Sequence, residues 1–433
     1  MHRIAVRGIA IAACLALAVT TAACSDEAPS SGGGSTANVP GVTDTEITFG
    51  THQPLTGPAS AGYSKISPAT KAYFDYVNAA GGVYGRKIKY LVEDDGYNPA
   101  NTQTLVRKLV LEDKVFAILN GLGTPTHTGV LDFIKSQNVP DLFVASGSRS
   151  WNQPDKYPTT FGYQPDYTVE GKIMADYVKK TYPGQVVCHL GQDDDFGRDS
   201  LAGVERVLGA SGVKEKQKYV TSMTTLAPQI GAFKTAGCQV IISGTIPGFT
   251  ARGLGAAAQL GYKPQWVVSS VGADNLTLSG LLGANKGLLE GLISVGYLPI
   301  AVDESNPWIQ LYKKINASNN GNAPFDNNIV YGMTVGYLTV QALLKAGKNL
   351  TREGLVKAIE SGGFKNAAAG PYRFSKTDHS GIGGMQMGKI SGGVQAAFGP
   401  VYETDDGDGA VKEYTEAATA PPSNGIPTDT AVK

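Results

Sequence analysis

Four short segments carry residue types that could hold a small anion: GLGTPT from Gly121, SGSRSW from Ser146, SGTIPGF from Ser243 and SSVGAD from Ser269. Each follows an apolar run that reads as a strand, and ligands of open α/β sheets bind at the carboxyl ends of strands. Glycine lets backbone N–H groups approach a ligand closely. Thr124, Ser146 and Ser148 add hydroxyl donors, and the helix expected to start at Thr124 adds the partial positive charge of its N-terminus. Together these suit a carboxylate. Taken singly, each Ser or Thr reads as a cap or a turn; their grouping at strand ends points to binding. Nothing points to catalysis: HExxH, GxSxG and the full phosphate-cradling GxxxxGK(S/T) are all missing. Asp193, Asp194 and Asp195 read as a polar loop capping the helix that starts near Phe196, and the five histidines (His2, His52, His127, His189, His379) have no paired spacing. No metal or other cofactor is expected.

The elements that must position these loops alternate. EITFGTHQ and KIKYLVEDD are strands by their alternation. The helix between them ends at NAAGG, where Gly81 or Gly82 can take the left-handed cap. Asn98 and Pro99 open the next helix as N-cap and first residue. VFAILN and PDLFVAS are further strands, and from TVEGKIMADYVKKTY the alternation starts again through QVVCHLG, EKQKYVT, CQVIISG and QWVVSS. Two runs of βα units predict an α/β chain with two parallel sheets, each covered by helices on both faces. After GLISVGYLP come long helices, NPWIQLYKKINAS and NIVYGMTVGYLTVQALLKAG, then short strands GPYRFSK, MQMGKIS and VQAAFGPVY. The polar tail from Glu403 is expected to be disordered.

The chain has 433 residues with 37 basic and 37 acidic side chains. That neutral balance argues against nucleic acid, whose capture needs a basic patch. Arg3 and Arg7 precede an apolar stretch from Gly8 to Val19, too short for a comfortable membrane span, and small residues precede Cys24. Thr21-Ala22-Ala23-Cys24 resembles a bacterial lipoprotein signal, with Thr21 where such signals favour Leu. The resemblance implies that Cys24 is acylated and becomes the first mature residue. The Gly/Ser-rich tract that follows is a flexible tether. No later run is read as long and apolar enough to span a bilayer. Cys188 and Cys238 remain in the body with no metal-ligand spacing; an oxidising compartment leaves a disulfide between them open.

NAAGGVYGRKIKYLVEDDGYNPANTQTLVRKLV resembles the signature segment of the branched-chain amino-acid-type substrate-binding proteins of ABC importers. The likeness continues through VPDLFVASGS, GQDDDFGRDS, QLGYKPQWV and GLLEGLISVGYLP, covering roughly Thr45 to Tyr402. It implies a periplasmic binding protein type I fold, with two Rossmann-like lobes joined by three crossovers and no catalysis. The expected division is a signal over residues 1–23, a tether over 24–42, an N-terminal lobe from 43–164 plus 295–373, a C-terminal lobe from 165–294 plus 374–402, and the tail 403–433. Carried over residue by residue, the ligand positions are Tyr63, then Leu122, Gly123 and Thr124, then Ser146, Gly147 and Ser148. In the second lobe the family's Tyr-Gly pair becomes Phe196-Gly197, and its aromatic after CQVIISG becomes Thr245.

Two departures bear on the ligand. Amino-acid binders place an acid where this chain has Val271; Asp274, three residues on, and Asp166, at the crossover, are the candidate substitutes. The family's disulfide between the second and third strand loops is absent, its positions being Tyr97 and Gly123. The pocket mouth is therefore rebuilt, with Tyr97 and Trp151 as candidate walls.

The expected function is a monomeric receptor on the outer face of the cell membrane, held there by Cys24. It delivers a small organic acid, amide or amino acid to an ABC permease and its ATPase. A sensory module with a separate signalling partner is the alternative, and a secreted hydrolase the remotest. The anchor has a direct check: Cys24→Ser is expected to release the protein from membranes in a fractionation assay, and native Cys24 to carry an acyl mass.

Overall fold

The computed structural model describes residues 39–428 apart from Asn366. The expected signal, most of the tether and Cys24 lie outside the described residues. The first lobe is built on strands β1 (Glu46–Gln53), β2 (Lys87–Asp94), β3 (Ala117–Leu119), β4 (Asp141–Val144) and β5 (Thr160–Gly162), in the spatial order β2-β1-β3-β4-β5 and all parallel. Its helices include α1 (Ile66–Ala79), α2 (Pro99–Leu111) and the single turn α3 (Thr124–Thr128). Asn98 caps α2, its side chain accepting from Ala100 N at 3.0 Å, with Pro99 just inside. β4 carries a register shift against β5, and Phe143 within it sits at φ 56°. Such bulges bend a strand beside a site, here where the chain leaves toward Ser146.

The second lobe uses α4 (Tyr167–Thr181), β6 (Val187–Gln192), α5 (Asp195–Leu208), β7 (Val213–Tyr219), β8 (Val240–Gly244), α6 (Pro247–Gln259), β9 (Gln265–Val268), α7 (Asn275–Leu282) and β10 (Ile293–Gly296). The chain then returns to the first lobe as α8 (Pro307–Asn319), α9 (Asn327–Ala346) and α10 (Arg352–Glu360). It crosses a third time to add β11 (Gly384–Ser391), β12 (Val394–Glu403) and β13 (Lys412–Tyr414). The second sheet runs β13-β12-β11-β10-β9-β8-β6-β7, parallel from β7 to β10 and antiparallel beyond. The architecture is the expected α/β pair of lobes, with three antiparallel strands on the second sheet's edge.

Two details differ from the sequence expectations, and a cysteine pairing left open there is resolved. The segment GPYRFSK forms only an isolated bridge, Tyr372 to Ile382, because Pro371 has no N–H to give a ladder. Helix α9 is long and apolar enough to cross a membrane by length and composition, yet 83% of that stretch is buried. It is the core helix of the first lobe, and its apolar character all round reflects burial on all sides. Cys188 of β6 and Cys238, just before the adjacent β8, are joined as a disulfide with Cα atoms 5.9 Å apart. Closing 50 residues of chain stabilises the second lobe by ~4 kcal/mol in the chain-entropy account.

The segment after Glu403 departs from the expected disorder, since residues 404–428 are laid along the body. Lys172 of α4, its side chain 3% exposed, donates to Asp405 O, Asp405 Oδ1, Gly407 O and Gly409 O at 2.9, 3.0, 2.8 and 2.7 Å. Asp408 pairs with Arg206 of the same lobe. Asp406 reaches Arg149 of the first lobe at 3.0 Å. The chain then runs onto the first lobe, where Trp308 donates to Thr419 O and the Tyr73 hydroxyl to Gly425 O at 2.7 Å. A polar composition hides this order because the stabilising atoms are backbone carbonyls, which every sequence has. Lys172→Met keeps the buried stem and removes the ammonium. It is expected to cost about 1.5–3 kcal/mol in urea unfolding, the worth of a hydrogen bond to a charged group, and to open residues 405–409 to native-state proteolysis.

Candidate functional site

The first-lobe wall of the cleft depends on a buried chain of polar contacts. Asp95 Oδ2 meets His52 Nδ1, His52 Nε2 meets His127 Nδ1, and His127 Nε2 meets Asp141 Oδ2, each at 2.8 Å. All four side chains are fully buried. They tie the end of β1, the loop after β2, helix α3 and the start of β4 to one another. Burial lowers the His52 pKa, opposed by its bond to Asp95. Asp95 Oδ1 also accepts from Tyr97 N at 2.8 Å, so the chain sets the turn that aims Tyr97. Gly123 lies beside it at φ 110°, where an added Cβ would meet the Tyr97 ring at 2.5 Å and Thr126 Oγ1 at 2.4 Å. Thr124 Oγ1 and Ser146 Oγ lie 2.7 Å apart, joining the two hydroxyl loops. Helix α3 has five residues, so its dipole is weaker than a full helix would supply.

The second-lobe wall begins at α5. Asp194 caps it through Phe196 N at 3.0 Å; Asp193 pairs with Lys218, and Asp195 pairs with Arg198. Asp194 places Phe196, while Asp193 and Asp195 are used in surface ion pairs. Ser269 and Ser270 hold the loop after β9 through Glu170 of α4, whose carboxylate accepts from Ser269 Oγ and Ser270 N at 2.7 Å each. The Tyr63 hydroxyl crosses from the first lobe and donates to Val271 O at 2.6 Å.

Between these walls lies a cavity of about 140 Å³, room for roughly ten waters. Of the residues expected at the ligand, Tyr63, Leu122, Gly123, Thr124, Phe196 and Val271 line it. Ser146, Gly147, Ser148 and Asp166 do not; they line a small neighbouring recess with Trp151 and Gln164. Thr245 is turned away, its Oγ1 2.7 Å from Thr250 Oγ1, and Ile246 lines the cavity in its place. Asp274 and Tyr97 are both on the wall, and Trp151 is not. The lining includes no Lys, Arg or His. Its acid, Asp274, already caps α7 through Thr277 N at 2.7 Å and accepts from Asn327 N at 3.3 Å.

Residues not singled out from the sequence complete the wall: Tyr167, Tyr297, Tyr331, Gln164 and Asn328. Burial raises the pKa of the Tyr63, Tyr97, Tyr167, Tyr297 and Tyr331 hydroxyls, so all five keep their protons as donors. The signal for Tyr167 was its place directly after the N-cap Asp166. Nothing in spacing marks Tyr297 or Tyr331, which reach the cleft only through the second crossover and α9. Glu170 lies in the first turn of α4, and no spacing marks its role.

A model of the family described as periplasmic binding protein matches residues 46–395. The chain belongs to the periplasmic binding protein family. It is similar to the Leu/Ile/Val-binding protein homolog 3 of Brucella melitensis, 23% identical over 46% of this chain and 54% of that protein. The chain spans about half the length of the curated relatives it matches. Among solved structures it is similar to a branched chain amino acid ABC transporter from Thermus thermophilus with bound valine (22% identity, TM-score 0.74, covering 84% of this chain and 98% of that one). It is also similar to a fatty acid ABC transporter substrate-binding protein from Thermomonospora curvata (22% identity, TM-score 0.72, covering 85% and 95%). At those identities the solved structures establish the fold, two lobes with parallel sheets, as the sequence resemblance implied.

Asp166 is a separate finding within this binding-protein frame. It caps α4 through Thr168 N at 2.6 Å, and its pKa is pushed up to about 7 by burial first, with Asp199 and Asp406 adding repulsion. Its folded pKa stands above the unfolded value, so its contribution is fully present below about pH 4 and is lost as pH rises through about 7. Asp166→Asn keeps a capping oxygen and removes the buried charge. The variant is expected to have a higher urea midpoint than wild type at pH 8, a gap that closes by pH 4.

Proposed function

We propose that this chain is the solute-binding receptor of an ABC importer, closing its two lobes on a small acid or amide with an apolar body. The observation that carries the reading is the cavity between the lobes. It is walled by Leu122, Phe196, Ile246 and Val271, supplied with donors by Thr124 and the Tyr97, Tyr167, Tyr297 and Tyr331 hydroxyls, and lined, among the described residues, by no basic side chain. A carboxylate or amide can be satisfied by neutral hydroxyl donors. An ammonium needs a carboxylate, and Asp274 and Glu170 are already committed to backbone N–H groups on their own loops. Burying an ammonium against Val271 is costly without such a partner. Of the two similar solved structures, one holds valine and the other belongs to a fatty acid ABC transporter, and both kinds of molecule end in a carboxylate.

In the same reading Cys24 carries the lipid, the tether holds the receptor near its permease and raises the local concentration, and the protein works outside the cytoplasm. Lobe closure around a ligand is the hinge motion that three crossovers allow. Calorimetry on unfolded and refolded protein, freed of co-purified ligand, tests the head-group preference. 4-Methylpentanoate or its amide is expected to bind at least ~100-fold more tightly than leucine, a gap of about 2.8 kcal/mol. Thr124→Ala is expected to weaken the acid by about one to two decades. Tight leucine binding would restore an amino-acid assignment.

A further inference from the structure

We infer that the cavity is a slot for an elongated solute, whose apolar tail runs sideways from the Thr124 head-group position across the second sheet to β12. This rests on the receptor reading above and adds the shape of the ligand. Six neighbouring strands contribute to the wall. The loops after β6, β8 and β9 supply Phe196, Ile246 and Val271, and β10, β11 and β12 supply Gly296, Gly388 and Ala397. Five steps between adjacent strands at ~4.8 Å make a run of ~24 Å. The carboxyl-to-methyl length of leucine, four bonds of ~1.5 Å, is roughly 6 Å. A pocket for that molecule needs no contribution from β11 or β12.

The floor of the outer half is built from small residues. Ser294 pairs in register with Gly388, and Gly388 with Ala397; Gly296, two residues beyond Ser294, shares its face. A Cβ at Gly388 would meet Ser294 Oγ at 2.7 Å, whereas a Cβ at Gly296 would meet nothing within 4 Å. Gly296 is not at positive φ, so its backbone does not demand glycine; what glycine does there is leave the slot open. The polar groups at this end are already paired: Gln395 Nε2 donates to Ser294 Oγ at 3.0 Å, and Asn327 Nδ2 donates to Gln395 Oε1 at 3.1 Å. With Ile300, Leu298 and Met387 around them, this end offers contact to methylenes or a ring, and its one charged neighbour, Asp274, is held by Thr277 N and Asn327 N.

The test is a chain-length series, butanoate, octanoate and dodecanoate with dodecanamide beside them, titrated by calorimetry into refolded full-length protein, Gly296→Ala and Gly296→Leu. Wild-type affinity is expected to rise roughly fourfold per added methylene until the slot is filled. Gly296→Leu is expected to lower dodecanoate affinity at least ~30-fold more than it lowers butanoate affinity, with Gly296→Ala between. A flat wild-type series, or equal losses for short and long acids in a Gly296→Leu protein with native circular dichroism, would overturn the slot while leaving the receptor reading in place. If dodecanamide shows the length dependence and no acid binds, the slot stands and the carboxylate head group falls. If no probe binds wild type, both fall.

Discussion

The first-lobe face of the cleft hangs on one buried polar chain. Three contacts at 2.8 Å link Asp95, His52, His127 and Asp141 in a site closed to water, where unpaired polar groups are most costly. Because the chain joins four elements, the turn at Tyr97, the left-handed Gly123 and the hydroxyl of Thr124 all take their positions from it. The second lobe has a counterpart in Glu170, which holds the Ser269–Ser270 loop from behind. Both walls of the cleft are therefore placed by buried carboxylates that do not line the cavity.

This division of labour explains the cavity's chemistry. Acids that could meet a ligand are occupied in building the walls, and the surface left exposed to the cleft is aliphatic, aromatic, hydroxylic and amide, with Asp274 held by backbone N–H groups. His189 shows the same economy in the second lobe. Its Nε2 meets Ser200 Oγ at 3.1 Å, tying α5 to β6 beneath Phe196. Burial first, and then the Lys216 charge, lower its pKa to about 3. The ring is neutral when folded, so this part of the stability is fully present above about pH 6.5 and falls away as pH drops toward 3.

How much of this could be read from the sequence follows from what sets each position. Parallel strands send their loops to one edge, so once the βα alternation was clear, the loops holding Leu122, Thr124, Phe196 and Val271 had to meet there. Thr245 was displaced by one residue to Ile246 because side chains at a strand's end alternate, and a single step moves a residue from the cleft to the core. Ser146, Ser148 and Asp166 were in the right loops and fell into the adjoining recess, a distinction made by the β4 bulge and the crossover. Tyr297 and Tyr331 were illegible because their approach depends on how α9 packs, which no local pattern encodes. The Cys188–Cys238 pair needed the strand order, since β6 and β8 are neighbours only because β7 turns to the outside.

The C-terminal segment has a further consequence, for the order of events in making the molecule. Its contacts are among the longest in sequence: Tyr73 to Gly425 spans 352 residues and Lys172 to Asp405 spans 233. It is synthesised after the elements it contacts, and it touches both lobes. Neither its carbonyl cage nor its contact with Trp308 can form until α4 and α8 are in place. Docking of residues 404–428 therefore follows the packing of both lobes, and a chain cut at Glu403 would lose the contacts that tie the two together there.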